Sequence, residues 1–451
     1  MSGLISRLKR MRLGDVLRRN PLFYDEAMRV LRTLKDADLA QRRAWTSERL
    51  SKVLWAARRS GYGRKVRGTA SLETWPLLAQ QQVRADPRAF YCGPRWLAAA
   101  AHTGGTSGAP LLLLRSAREI ALEQAFIDFV THEATGLPAD ARCAVLHTEE
   151  IKDPNDFRPP YWIFAAGGRR LVCSAGHLNA DTIAAYAQIL REFRPQVLFA
   201  YPTSLEALCL LLRRAGEQVH IPHVTCSSEM LHPHVWALAR ETLGCTMLDR
   251  YGQAERVARA CATEPGQYRF VPGYAHVELV QVDAREDRKV YEIVGTSLWN
   301  PAMTLVRYRT GDLVHLPALW GKAEIEEVTL GIRSFDGVTG RDSDILLTPQ
   351  GVKLTGLSHF YRDVPHIARV QIIQEQLDSV RLLVQQLPGY SQRDTDHLLH
   401  NIRLKVPASM AVAIDCVGEL ERTAVGKTPF VIHRPAVKQS LAAVRAQPAT
   451  A

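Results

Sequence analysis

The sequence predicts an α/β protein of two domains. The first is a large N-terminal α/β domain of mixed sheets with crossover helices plus an antiparallel region (1–341). The second is a small C-terminal α+β domain (342–451). Three observations predict this. From about residue 95, short apolar runs alternate with amphipathic stretches, as in CAVLHT (143–148), DTIAAYAQILREF (181–193), PQVLFAYP (195–202) and SLEALCLLLRRAG (204–216). Strand and helix in alternation imply parallel strands joined by crossover helices. Between about 267 and 316 the helical period disappears, and YRFVP, AHVELVQV and KVYEIVGTS alternate as antiparallel strands do. The remainder is a self-contained mixture: IARVQIIQEQ, SVRLLVQQL and MAVAIDCV read as strands and SQRDTDHLLHNIRLKV as a helix.

The elements follow in chain order. Residues 1–20 carry six Arg/Lys and one Asp, with Leu4, Ile5, Leu8, Met11 and Val16 at nearly helical spacing. This segment is either a basic amphipathic helix on anionic lipid, a weak membrane-surface contact, or a helix whose apolar stripe packs on its own domain. From Tyr24 to about Ser60 the pattern is helical, with almost no Gly or Pro. The tail after Pro435, AVKQSLAAVRAQPATA, begins helical and then frays.

Composition narrows the function class. At 451 residues, with 46% hydrophobic and 23% charged, the chain is neither a peptide scaffold nor a disordered or collagenous polymer. The net charge of +11 makes a polyanion, an anionic membrane or a phosphate-bearing ligand a plausible partner. Nucleic-acid binders interleave clustered basic residues with aromatics; only the first 20 residues approach that pattern, so no nucleic-acid partner is expected. The eight cysteines are scattered without a C-x-x-C pair, as reduced thiols are. The run Ala109–Leu114 is far short of the ~20 residues that span a bilayer, and the N-terminus lacks the apolar core of a secretory signal; a cytoplasmic location is expected.

Five segments carry the chemistry. HTGGTSGAP (102–110) packs three glycines and three hydroxyl residues into Thr103–Gly108. Glycine lets a tight loop turn several N–H groups toward one anion, although such a loop is also an ordinary connection, and it is not a Walker loop. LDRYGQAE (248–255), preceded by TCSSE (225–229), sets Glu255 after a strand end, where α/β proteins bind ligands. That carboxylate suits Mg²⁺ or merely complements a helix dipole. In LVRYRTGDL (305–313) a Thr-Gly turn precedes Asp312, and one carboxylate can accept from two vicinal hydroxyls. VTGRDSD (338–344) has the composition of a hinge, with Arg341 able to reach phosphate or ribose. ERTAVGKTP (421–429) sets Lys427 after a glycine.

In this order and at these distances the five segments resemble the adenylate-forming (acyl-CoA synthetase) superfamily, and within it the phenylacetate–CoA ligase and CapK-like branch. LETWPLLAQQQVRADP (72–87), FRPQVLFAYPTSLEAL (193–208) and YGQAERVARACATEPGQYRFVPGYAHVEL (251–279) extend the resemblance over most of the chain. The resemblance implies ATP and Mg²⁺ as cofactors. Thr103, Gly104, Gly105, Thr106, Ser107 and Gly108 would wrap the phosphates. Ser227, Ser228, Glu229, Tyr251, Gly252 and Gln253 would flank the adenine. Glu255 would hold Mg²⁺, Asp312 the ribose hydroxyls, and Arg341 the ribose and α-phosphate. Lys427 would join the α-phosphate to the acid carboxylate. It further implies a small C-terminal domain that moves about a hinge at Asp342 and Ser343, with Asp344 beside it, between acyl-AMP formation and acyl transfer.

The resemblance implies as acceptor the thiol of CoA or of a phosphopantetheine arm on an acyl carrier protein; an amine or hydroxyl acceptor, giving an amide- or ester-forming or nucleotidyl-transferring ligase, stays open. So does a homodimer. His147, Tyr161 and Tyr201 lie in segments that face a small-molecule carboxylic acid in the family, with Trp162 beside them, and a flat, aromatic acid would suit them; filling of the core or a lid is the other reading. Cys261 reads as a buried thiol or as a zinc ligand. Two positions depart from the family: Ala109 stands where a loop lysine is common, and Ser343 where the acidic hinge residue is usual.

Overall fold

In a computed structural model the described residues are 18–67, 69, 71–93, 98–102, 111–147, 151, 156, 158–284, 287–341, 346–349, 353–354, 360–361, 364–403, 406–422 and 428–446. The chain divides into two compact units, Met1–Val338 and Thr339–Ala451, within a short strand β14 (Val338–Arg341). The sequence-expected boundary lies after Arg341.

In the first unit, two helices stand where the sequence pattern is one helical stretch: α1 (Pro21–Lys35) and α2 (Leu39–Ala57). The cause of the break is local. Asp38 accepts from the Gln41 N–H at 2.8 Å while Gln41 accepts from the Asp38 N–H at 3.0 Å, a capping box that starts a new helix. Strands β1 (Ala98–His102) and β2 (Leu112–Ser116) form an antiparallel hairpin. Ser116 then caps α3 (Ala117–Thr135) by accepting from the Glu119 N–H.

The central sheet has eight strands in the order β10-β9-β8-β7-β6-β3-β5-β4. Its middle is parallel, as the alternating pattern predicts: β8 (Thr246–Gly252), β7 (His223–Ser227), β6 (Val197–Ala200), β3 (Cys143–His147) and β5 (Arg170–Ser174). The flanks β4 (Trp162–Ala165), β9 (Arg259–Ala262) and β10 (Arg269–Phe270) are antiparallel. The crossovers α4 (Ile183–Phe193), α5 (Pro202–Ala215) and α6 (Pro233–Leu243) pack on one face through Tyr186, Leu190, Leu205, Leu212 and Trp236. On β8, Met247 joins that core and Leu248 the core formed with α1 and α3, so neighbouring residues are buried on opposite faces. Both faces covered is why these strands read as continuous apolar runs.

Strands β11 (Ala275–Ala284), β12 (Arg288–Ser297) and β13 (Tyr308–Pro317) form an antiparallel meander, and α7 (Lys322–Thr329) packs on it through Val328. One expectation is corrected here. Thr310-Gly311 is not a turn between elements but part of a bulge inside β13, where Thr310, Gly311 and Asp312 lie opposite Ile293 alone. The strand does not end because the ladder resumes at Leu313 opposite Glu292.

The second unit contains the short pair β15 (Leu346–Leu347) and β16 (Lys353–Leu354), and a sheet in the order β19-β18-β17-β20. Strands β17 (Ile367–Gln376) and β18 (Ser379–Gln386) are an antiparallel hairpin; β19 (Ala411–Cys416) runs parallel to β18, and β20 (Val431–His433) parallel to β17. Helix α8 (Gln392–Arg403) closes one core through Leu398 and Ile402, and α9 (Pro435–Ala446) closes a smaller one with Leu347.

Candidate active site

In an open parallel sheet, ligands bind at the carboxyl ends of strands where the strand order reverses. Here β3 pairs with β5 on one side and β6 on the other, so the reversal lies between β3 and β6. His147 ends β3, and Tyr201 follows β6 with its N–H donating to the Leu146 carbonyl. Two of the three predicted substrate-facing residues therefore stand at this point by backbone position. The third, Tyr161, is buried: its ring stacks on Tyr186 at 5.9 Å and on His177 at 5.7 Å, within the core under α4. One strand over, Ser227 ends β7, Ser228 adopts φ +73°, and Glu229 accepts from the Thr203 N–H at 3.1 Å. That bond fastens the exit of β7 to the first turn of α5.

The segment after β8 is held by β13. The Tyr251 hydroxyl donates to Asp312 Oδ2 at 2.7 Å, and Gln253 Nε2 donates to the same hydroxyl at 3.3 Å. Four residues on, the Tyr308 hydroxyl donates to Glu255 Oε1 at 2.6 Å. The spacing 251/255 thus matches 308/312 in reverse. Gln253, Glu255, Asp312 and Tyr308 are all buried. Burying a carboxylate is costly without donors around it, and each of these two accepts from a tyrosine hydroxyl. Tyr308 escapes a motif reading although it sits in the LVRYRTGDL segment; the four-residue match was its only signal.

Behind this segment lies a belt of charge. Arg115 Nη2 donates to the Ala254 carbonyl at 3.1 Å, and Arg256 Nη1 to the Glu119 carbonyl at 3.2 Å. Arg256 and Arg259 both pair with Glu123. Burial raises the Glu123 carboxyl, but Arg259 and Arg256 outweigh it and hold the group below its ordinary range. At Glu119 burial wins, pushing the carboxyl up to about 7 against Arg256 and Arg115. Burial likewise pushes the Cys261 thiol, on β9, up to about 11.

The predicted phosphate loop Thr103–Gly108, the hinge residues Asp342 and Ser343, and Lys427 lie outside the described residues. Arg341 is described by its backbone, as the last residue of β14. The flanks of the lysine segment are described. Gln371, fully buried, donates to the carbonyls of Glu421 at 2.9 Å and Pro429 at 2.8 Å and accepts from the Glu421 N–H at 2.9 Å. No sequence signal marked Gln371. Among the described residues no cluster of three or more His, Cys, Asp or Glu side chains is arranged for a metal, and no helix is long and apolar enough to cross a membrane. A single carboxylate such as Glu255 is compatible with Mg²⁺, which takes one or two carboxylates and fills its remaining positions with phosphate oxygens and water.

Residues 346–434 match the CapK C-terminal domain. The chain is 18% identical over 338 residues to protein CapK of Staphylococcus aureus, covering 73% of each. It is 21% identical over 401 residues to a phenylacetate–coenzyme A ligase of Aromatoleum evansii, covering 82% of this chain and 86% of that one. Among solved structures, 2-hydroxyisobutyryl-CoA ligase in its postadenylation state, in complex with R3-HIB-AMP, superposes with a TM-score of 0.61 at 16% identity, over 90% of this chain and 93% of that one. The structural likeness is one of fold.

Proposed function

We propose, from the match to the CapK C-terminal domain and the similarity to CapK and the phenylacetate–CoA ligases, that the chain is an ATP-dependent ligase of the adenylate-forming kind, which activates a carboxylic acid as acyl-AMP and passes the acyl group to a thiol, that of CoA or of a phosphopantetheine arm. The observation that carries the reading is the double brace of Tyr251 on Asp312 and Tyr308 on Glu255. It ties two buried carboxylates to the same pair of segments, which supports reading one as the acceptor for sugar hydroxyls and the other as the holder of a phosphate-bound cation.

In this reading Asp312 accepts from the ribose hydroxyls and so fixes the nucleotide's orientation. Tyr251 and Gln253 line the base side, and Glu255 would hold Mg²⁺. When bound, the ion neutralises phosphate charge. The acid's carboxylate oxygen attacks the α-phosphorus and pyrophosphate leaves. Negative charge grows on the α-phosphate oxygens, and the family resemblance assigns its stabilisation to the loop Thr103–Gly108 and to Lys427, both outside the described residues. In the second half-reaction the thiolate attacks the acyl carbonyl carbon and AMP leaves. The backbone positions of His147 and Tyr201 at the strand reversal support reading them as residues of the acid pocket.

Pyrophosphate–ATP exchange across aryl, fatty and amino acids tests the reading, repeated with Lys427→Ala. At least one acid is expected to support exchange, and Lys427→Ala to reduce it by roughly 10²–10³-fold, the effect of removing one stabiliser of transition-state charge. Exchange with no acid sinks the adenylation reading, and unchanged exchange in Lys427→Ala sinks the role of that lysine.

A further inference from the structure

Asp312 owes its place to a bulge, and the bulge is held by a residue to which neither the motifs nor the family resemblance gives a role. Between the pairs Glu292–Leu313 and Val294–Arg309, β12 contributes one residue and β13 three. Left alone such a bulge has unpaired backbone groups and several geometries. Here the Glu292 carboxylate, 4% exposed, fixes one of them. Its Oε2 accepts from Arg309 Nε at 2.8 Å and Nη2 at 2.6 Å, and its Oε1 accepts from the Gly311 N–H at 3.1 Å. One side chain thus grips the bulge on both sides of Thr310. Thr310 Oγ1 completes it, donating to the Ile293 carbonyl at 2.7 Å and accepting from the Asp312 N–H at 3.0 Å. Gly311 takes φ +73°, the left-handed conformation a bulge of this kind uses.

We propose that Glu292 is a positioning residue for nucleotide sugar recognition: it locks the β13 bulge that presents Asp312 to the ribose hydroxyls. The inference rests on the nucleotide reading of Asp312 given above. Glu292 does not touch the ligand. Its contribution is to keep the Asp312 carboxylate in a single position, so that a ligand does not have to order it.

The test is equilibrium binding of ATP and of 2′,3′-dideoxy-ATP with Mg²⁺ to the full chain. The dideoxy compound lacks the hydroxyls that Asp312 would hold. The wild type is expected to prefer ATP, and Asp312→Ala to erase the preference. Glu292→Ala is expected to weaken ATP roughly tenfold or more, the scale of a lost hydrogen bond to a charged group, while leaving the dideoxy compound unchanged. Glu292→Gln keeps one acceptor oxygen and falls between. A general structural defect would weaken both nucleotides alike, and that result, or wild-type ATP affinity in Glu292→Ala, overturns the proposal while a preference that depends on Asp312 leaves the nucleotide reading standing. A wild type with no preference overturns both. If melting curves show Glu292→Ala unfolded, Glu292→Gln decides in its place: a selective loss for ATP supports the proposal, and none overturns it.

Discussion

Glu119 is the third residue of α3, and its carboxyl is buried with Arg115, Arg256, Arg259 and Glu123 as its charged neighbours. Two effects oppose each other. Burial disfavours the charged form and the arginines favour it; burial is the larger, so the group titrates at about 7 rather than near its ordinary 4.5. The sign for stability follows. Between these values the folded chain keeps a proton that the unfolded chain releases, so the stabilisation is complete below about 4.5 and lost as pH rises through about 7. Replacing Glu119 by Gln removes a charge that the fold accommodates poorly. Urea titrations are expected to show Glu119→Gln gaining on the wild type as pH rises through this window, by up to about 3 kcal/mol at pH 8. Parallel pH profiles of the two proteins would assign the titration elsewhere. Residues of this kind are poorly legible in a sequence. Glu119, Glu292 and Tyr308 acquire their roles from partners distant along the chain, and a contact such as Tyr308 with Glu255 exists only after two sheets have formed.

At the scale of elements, the turn after β8 lies directly on the antiparallel meander, and a glycine makes the approach possible. A Cβ on Gly295 would stand 2.0 Å from the Val257 carbonyl oxygen. That neighbour is backbone, so it cannot swing aside. Gly295 pairs with Tyr308 across the β12–β13 ladder, and Val257 is two residues past Glu255, so the same close contact brings Tyr308 within reach of Glu255. Gly295→Ala is expected to destabilise the chain by about 1–3 kcal/mol, as overpacking does, measured by the urea midpoint. It should also reduce pyrophosphate–ATP exchange under conditions where the protein remains folded. Wild-type stability and exchange would mean that the segment has room to move. The elements themselves were largely legible, because periodicity is a local property: α4, α5, β6 and β17 follow their apolar patterns. The bulge in β13 was not. Thr-Gly-Asp has turn composition, and only the resumed pairing of Leu313 with Glu292 keeps the strand going.

For the whole molecule, the division at Val338 and Thr339 separates two sets of cores, and the second set is complete without the first. Ile372, Leu382, Val384, Leu398 and Ile402 are fully buried between β17, β18 and α8. On the opposite face Ile373 and Leu383 pack with Leu420, and in a separate cluster Leu347 packs with Val437 and Leu441. Two of its buried amides are also paired internally: Gln374 donates to the Leu347 carbonyl at 2.6 Å and accepts from its N–H at 3.0 Å, while Gln371 bonds to Glu421 and Pro429. A unit of 113 residues with such a core is large enough to fold alone. The fragment Thr339–Ala451 is therefore expected to unfold in one cooperative transition on heating, followed by circular dichroism. Within it, Gln371→Leu should lower stability by about 1–3 kcal/mol, because the Glu421 N–H and two carbonyls lose their buried partner. A fragment with no cooperative transition would show that this unit depends on residues before Thr339. A normal transition unmoved by Gln371→Leu would show instead that the strand ends flanking Lys427 are held by something other than that amide.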